Sequence, residues 1–155
     1  MLEVTASWEG GHRCRVPIRG FEVLVDEPTT AGGSDTGPKP TELLLASLAA
    51  CFALAVAHMV RKRGRELADV RVNVRGEYRG AGFDRITVEA RSSEPELVRS
   101  VLDQAIRSCY VSNTIRGQPE IEYWVEPAVA SHGEGPPPPR RRPAPTRRRR
   151  GRGAA

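Results

Sequence analysis

Three cysteines punctuate the 155-residue chain, Cys14, Cys51 and Cys109, and no two stand at CxxC spacing. Such a set makes no disulfide framework. In a reducing compartment, a bridge between two of them is more readily a transient chemical event than a structural staple. Cys51 sits at the centre of LLLASLAACFALAVAHMV, Leu43 to Val60, where only Ser47 and His58 fall outside the apolar set. Cys109 ends an apolar stripe of Leu97, Val101, Leu102, Ala105 and Ile106 at helical spacing. Both cysteines are therefore predicted to point inward. A buried cysteine is either a small hydrophobe or, when held as the thiolate, a nucleophile. The second role sets a condition on ionisation. Free cysteine titrates near ~8.5, so only ~3% is thiolate at pH 7, and burial lowers that further. Moving the value down by ~2.5 takes ~3.4 kcal/mol. One arginine at ~4 Å, in a medium of effective dielectric ~20, supplies ~4 kcal/mol. The middle of a helix has no free N–H groups, so that cation has to come from another element.

Other reactive residues carry less. His58 follows Cys51 by seven residues, the same helix face but ~10.5 Å along it, too far for the direct bond of a Cys–His nucleophile. Cys14, beside Arg13 and Arg15, is read as incidental. His12 and Cys14 would make half of a metal site, but no second pair stands at ligand spacing, so no metal and no cofactor are expected. The chain has no glycine-rich phosphate loop, GxSxG elbow or HExxH.

The elements that would hold the two thiols can be read from periodicity. Val70, Val72 and Val74 alternate with polar residues, as do Ile86, Val88 and Ala90, and Ile121, Tyr123 and Val125. Leu2 to Trp8 and Arg13 to Ile18 flank an EGG turn at Glu9 to Gly11, and Phe21 to Asp26 follows Gly20. The second helix begins near Pro95 and has a polar back of Arg99, Asp103 and Arg107. The order is three strands, an apolar helix, two strands, an amphipathic helix and a last strand. This is an α+β fold in which a curved antiparallel sheet packs on a long buried central helix and a second amphipathic helix. The apolar helix reaches only ~27 Å and six of its residues are alanine, so it is read as a protein core and not as a membrane span. One sheet covers one side of it, and the other side is expected to meet a partner subunit in an intimate homodimer.

The formal charge of +5 is uneven, because residues 132–155 hold eight arginines and one acid while the rest of the chain is mildly acidic. The expected organisation is a domain over residues 1–131 and a disordered Pro/Arg-rich tail over residues 132–155, able to hold a polyanion without sequence preference. The first residues, MLEVTASWEGG, do not look like a secretory signal, which points to a cytoplasmic protein.

GPKPTELLLASLAACF, Gly37 to Phe52, followed 58 residues after Cys51 by CYVSNTIRG, Cys109 to Gly117, resembles the OsmC/Ohr family of thiol-dependent peroxidases. There a Gly-x-x-Pro-x-Glu-Leu start leads to Ala-Cys-Phe, and a Cys-Pro-Val-Ser-Asn motif carries the second cysteine. The resemblance spans roughly residues 1–127. It implies an intertwined OsmC/Ohr-like homodimer in which Cys51 reduces organic hydroperoxides through a sulfenic acid and Cys109 resolves it as a disulfide. A dithiol reductant of the lipoyl type would restore the pair. It also implies an activating arginine from the N-terminal hairpin, for which Arg13 is the best match and Arg15 and Arg19 are rivals.

The chain departs from the pattern twice. Tyr110 stands where the family often has proline. Thr41 holds the place of the glutamate that pairs with that arginine, and Glu42 is one residue on. Glu42 lies ~13.5 Å along the helix from Cys51 and on its opposite side. It would serve the cysteine of a partner subunit, pair with Arg13, or act only as an acid in the first helical turn. The competing reading is an OsmC-fold binding protein without peroxidase turnover, its arginine tail fastened to nucleic acid or another polyanion.

Overall fold

The glycines of the EGG turn make the first strand pair possible. In the computed structural model, which describes residues 1–127, β1 (Ser7–Gly10) and β2 (Arg13–Ile18) pair antiparallel around it. Gly10 and Gly11 there take φ of 107° and 55°, a region open to glycine. β3 (Phe21–Val25) pairs with β2 in continuous register from Cys14↔Val25 to Ile18↔Phe21. The first strand is shorter than its sequence suggests. Residues 2–6 are exposed and have no regular structure.

Beyond β3, the loop to the first long helix is organised by Asp26, which is 1% exposed. Its carboxylate accepts the N–H groups of Glu27 (2.8 Å), Ser34 (3.1 Å) and Thr36 (3.2 Å), and the hydroxyl of Thr36 (2.8 Å). Burying a carboxylate requires such partners. The loop also folds back tightly: a Cβ on Gly33 would stand 1.8 Å from the Glu27 carbonyl oxygen, and one on Gly37 2.2 Å from that of Leu24.

α1 (Pro40–Lys62) contains the apolar run. Lys39 is extended, as the residue before proline prefers, and Pro40 takes the first helical position, where a missing N–H costs nothing. Glu42 reaches back and accepts the Lys39 N–H at 3.0 Å. Arg61 and Lys62 in the last turn suit the negative end of the helix.

The alternation after α1 forms one hairpin, β4 (Arg71–Arg79) with β5 (Gly82–Arg91), bulged at Glu77/Tyr78. The antiparallel α+β architecture is therefore as expected, with its strands in two sheets, β1-β2-β3 and β4-β5. α2 (Pro95–Ser108) lies against α1. Leu48, Phe52, Ala55, Val56, Met59 and Val60 of α1 form the core with Val98, Val101 and Ala105 of α2. Val72, Val74, Ile86 and Ala90 of the hairpin pack against it. Full burial of an aliphatic side chain contributes roughly 1.5–3 kcal/mol. Arg63 ties the two helices at the far end, donating to the Ser100 hydroxyl (2.9 Å) and to Oε1 of Gln104 (3.2 Å).

Two further expectations are corrected. Cys109 does not sit in the last turn of α2: the helix ends at Ser108, Cys109 is extended with ψ 100°, and a further helix, α3 (Tyr110–Gly117), follows. The Asn113 side chain fixes this corner by donating to the Arg107 carbonyl (2.8 Å), one of the last carbonyls of α2. The expected strand at Ile121 to Val125 does not form. Those residues have no regular structure, and Ile121, Tyr123 and Val125 are exposed. Alternation marks which side of a strand would be buried but does not supply the neighbouring edge that a strand needs. Within one chain α1 is open along one face, where Leu44, Ser47, Ala50, Leu54 and His58 are exposed. The core and all these elements belong to a unit of Met1–Glu120. The readings made for residues 132–155 lie outside the described residues.

Candidate active site

Cys51 projects from the middle of α1 beside the core cluster and is half-buried. Its position is set by the run of small and apolar residues around it, with Leu48 and Phe52 anchoring the neighbouring turns. Cys109 is fully buried at the corner between α2 and α3. Both thiols are free, and the corner turns the Cys109 sulfur toward Cys51. Burial pushes the Cys109 thiol up. The N–H groups of Ser112 and Val111, in the first turn of α3, pull it down, and the Cys51 thiol beside it pushes up again. The net direction is upward, so the proton is held on Cys109.

The structure brings together Cys51 and Cys109 and leaves the other predicted site residues elsewhere. Arg13 pairs with Glu9 (Nε to Oε2, 3.2 Å). Arg15 is clamped between Glu9 and Glu22, and this holds Glu9 below the usual carboxylate range. Arg19 lies 5.4 Å from the centre of the Phe21 ring. All three arginines thus have their partners within or next to the three-stranded sheet, whose packing is mainly among its own strands. Glu42 is engaged at the helix cap, and Thr41 is bonded to the Tyr78 hydroxyl of β4 at 2.8 Å. The Lys39 ammonium stands 5.9 Å above that same ring.

A cavity of about 490 Å³ opens beside the cysteine-bearing helices. Leu48, Phe52, Ile86, Val98, Leu102 and Ile106 give it an apolar wall, and Arg99, Ser112 and Arg116 add polar groups. It is bounded by the turns that flank both thiols, although neither cysteine lines it. Among the described residues, no group of three or more His, Cys, Asp or Glu side chains is placed to hold a metal ion.

Sequence reasoning missed Asp26, Asn113 and the Thr41–Tyr78 pair. Only Asn113 carried a usable signal, as part of the SN that follows Cys109. A side chain that caps or knots by its place in three dimensions leaves no periodic trace.

The model of the family described as OsmC-like protein matches residues 32–123, a range that contains both cysteines. No curated protein matches the chain. Among solved structures, an OsmC-like protein from Mycoplasma pneumoniae is 19% identical, with a TM-score of 0.64 over 76% of this chain and 88% of that one. A Vibrio cholerae protein, described as an organic hydroperoxide resistance protein and solved with captopril in one of its active sites, is 26% identical. Its TM-score is 0.59 over 76% of this chain and 86% of that one. The organic hydroperoxide resistance protein OhrB of Bacillus subtilis is 24% identical, with a TM-score of 0.57 over 76% and 91% of the two chains.

Proposed function

The chain belongs to the family of OsmC-like proteins, and we propose that it is a homodimeric, cytoplasmic thiol peroxidase that reduces organic hydroperoxides. The observation that carries this reading is the meeting of two free thiols, 58 residues apart in the chain, at the edge of one apolar core. The Cys51 thiolate attacks one oxygen of the O–O bond. That bond breaks, the other oxygen leaves and takes up a proton as the alcohol, and Cys51 becomes a sulfenic acid. Cys109 then attacks the sulfenic sulfur, forming the Cys51–Cys109 disulfide and releasing water. A dithiol returns two electrons and two protons to restore both thiols.

This chemistry needs a cation near Cys51, and the hairpin arginines are not beside it within one chain. The dimer supplies the remedy in this proposal. The exposed apolar face of α1, with Leu44 and Leu54 at 42% and 71% exposure, is the docking surface. Arg13 and Glu42 of the partner subunit then approach Cys51, and the three-stranded sheet gains the covering it lacks.

Mixing the reduced protein with an organic hydroperoxide should consume one equivalent and yield the disulfide. Equal consumption by Cys51→Ser would refute the mechanism. A binding role without turnover draws its support from Thr41, which stands where the family glutamate is expected and is held by Tyr78. Removing residues 132–155 separates the two: peroxide consumption survives the deletion, whereas polyanion binding is lost.

A further inference from the structure

The two sulfurs that meet at this site are not equivalent, and the difference bears on how the oxidised enzyme is reduced. Cys51 lies on a half-exposed stretch of α1, whereas Cys109 has no exposure at all. Cys109 is also the residue that caps α3. Its backbone carbonyl accepts the Asn113 N–H (3.0 Å), and its sulfur faces the N–H groups of Val111 and Ser112, the second and third residues of that helix. Cys51, in the middle of a helix, has no comparable donors, since its neighbours' N–H groups are used within α1.

Resting on the thiol-peroxidase reading, we infer that the Cys51–Cys109 disulfide is reduced in one direction only: the reductant attacks the Cys51 sulfur, and Cys109 is the leaving thiolate. The incoming thiolate can approach only along the line of the S–S bond from the side of the sulfur it attacks. Within the single chain Cys51 keeps part of its surface exposed, whereas Cys109 is enclosed by core. The new bond forms between the reductant sulfur and Cys51. The S–S bond breaks, and its electron pair passes to the Cys109 sulfur at the start of α3. The second thiol of the dithiol then attacks its own sulfur in the mixed disulfide. This releases Cys51 as the thiolate and closes the reductant into a cyclic disulfide, with one proton left to protonate Cys109. The leaving thiolate at Cys109 takes up that proton. Asn113 and the α3 turn thereby act as positioning groups for the second half of the cycle.

The test uses the full wild-type chain oxidised with diamide, so that formation of the bridge does not depend on peroxide chemistry. The oxidised protein is exposed briefly to 2-mercaptoethanol, quenched with N-ethylmaleimide and mapped by peptide mass spectrometry. The expected product carries mercaptoethanol on Cys51 and maleimide on Cys109, in about tenfold or greater excess over the reverse. An even split, a mixed disulfide on Cys109, or a chain in which diamide cannot join these two cysteines would overturn the inference. Failure of an organic hydroperoxide to form a bridge that diamide does form counts against the peroxidase reading alone, and the sulfur attacked is still read from the diamide sample.

Discussion

Joining Cys51 to Cys109 should raise stability by an amount the fold lets one work out. The bridge closes a 58-residue separation. In the loop-entropy description this removes about 4 kcal/mol of freedom from the unfolded chain at 25 °C. The native side of the balance costs little. The thiols already face each other across the α1 and α2–α3 contact, and the Cys109 backbone is pinned by Asn113. The structured unit spans Met1–Glu120, for which unfolding entropy near 60 °C is roughly 0.25 kcal/mol per degree. The shift in Tm between reduced and diamide-oxidised protein is then about 15 °C. Differential scanning calorimetry on both forms measures it, with Cys109→Ser under the same oxidant as a control showing no change. Strain on forming the bond would shrink the rise. An oxidised form that melts at or below the reduced one would refute the reasoning, because the bond would then have to distort the core that places the two sulfurs together.

Asp26 provides a pH test. Its hydrogen bonds, led by the Thr36 hydroxyl, lower its carboxyl to about 2. A lowered folded value contributes stability above the unfolded value of roughly 4, and that contribution fades as pH falls from about 5 toward 2. Urea melts of the wild type should lose stability across that window, and Asp26→Ala should be less stable at pH 7 with a flatter slope; an unchanged slope would count against it. Leu54→Arg places a charge at the centre of the exposed α1 face and should turn a dimer into monomers by light scattering with little change in helix content. If the wild type is itself monomeric, the docking role of that face fails. Asn113→Ala removes a bond to the end of α2 and should cost about 1 kcal/mol in a denaturant titration. Its second readout is the rate at which hydroperoxide-treated protein loses its Cys109 thiol, expected to fall because the sulfur is no longer held in place. Val101→Ala, at a fully buried position of α2, should cost about 2 kcal/mol through the methyl groups and cavity it leaves.

What could be read from the residues and what could not divide along a physical line. Periodicity exposes an element when one of its faces is buried and the other wet. The hairpin of β4 and β5 and the stripe on α2 were therefore legible, while α1 showed as an unbroken apolar run, Leu43 to Val60, shorter than the helix it belongs to. So was the inward aim of the two thiols, because both stand among residues that belong to the core. The break at Cys109 was not legible, since α2 and α3 share one apolar pattern and the corner depends on a single side chain, Asn113, returning to Arg107. Nor was Asp26, whose partners arrive from ten residues away through a loop with no period. The segment at Ile121 failed for the opposite reason, because its alternation is genuine but no strand edge within the described residues pairs with it.

Within one chain the hairpin arginines Arg13 and Arg15 are paired to carboxylates of their own sheet, and energetics say why the activating charge matters most. A thiol at the edge of an apolar core has to recover several kcal/mol before it ionises near neutral pH, and a guanidinium is the group able to return that much at contact distance. Arg13 and Arg15 already have carboxylate partners in Glu9 and Glu22. Exposed ion pairs of this kind are worth little, so they can be exchanged for a buried thiolate without large loss. The same face of α1 that leaves Leu44 and Leu54 in water lies beside Cys51. Covering that face removes apolar surface and lowers the dielectric around whatever cation arrives with the cover. Association of two chains and the arrival of a cation beside Cys51 would then go together.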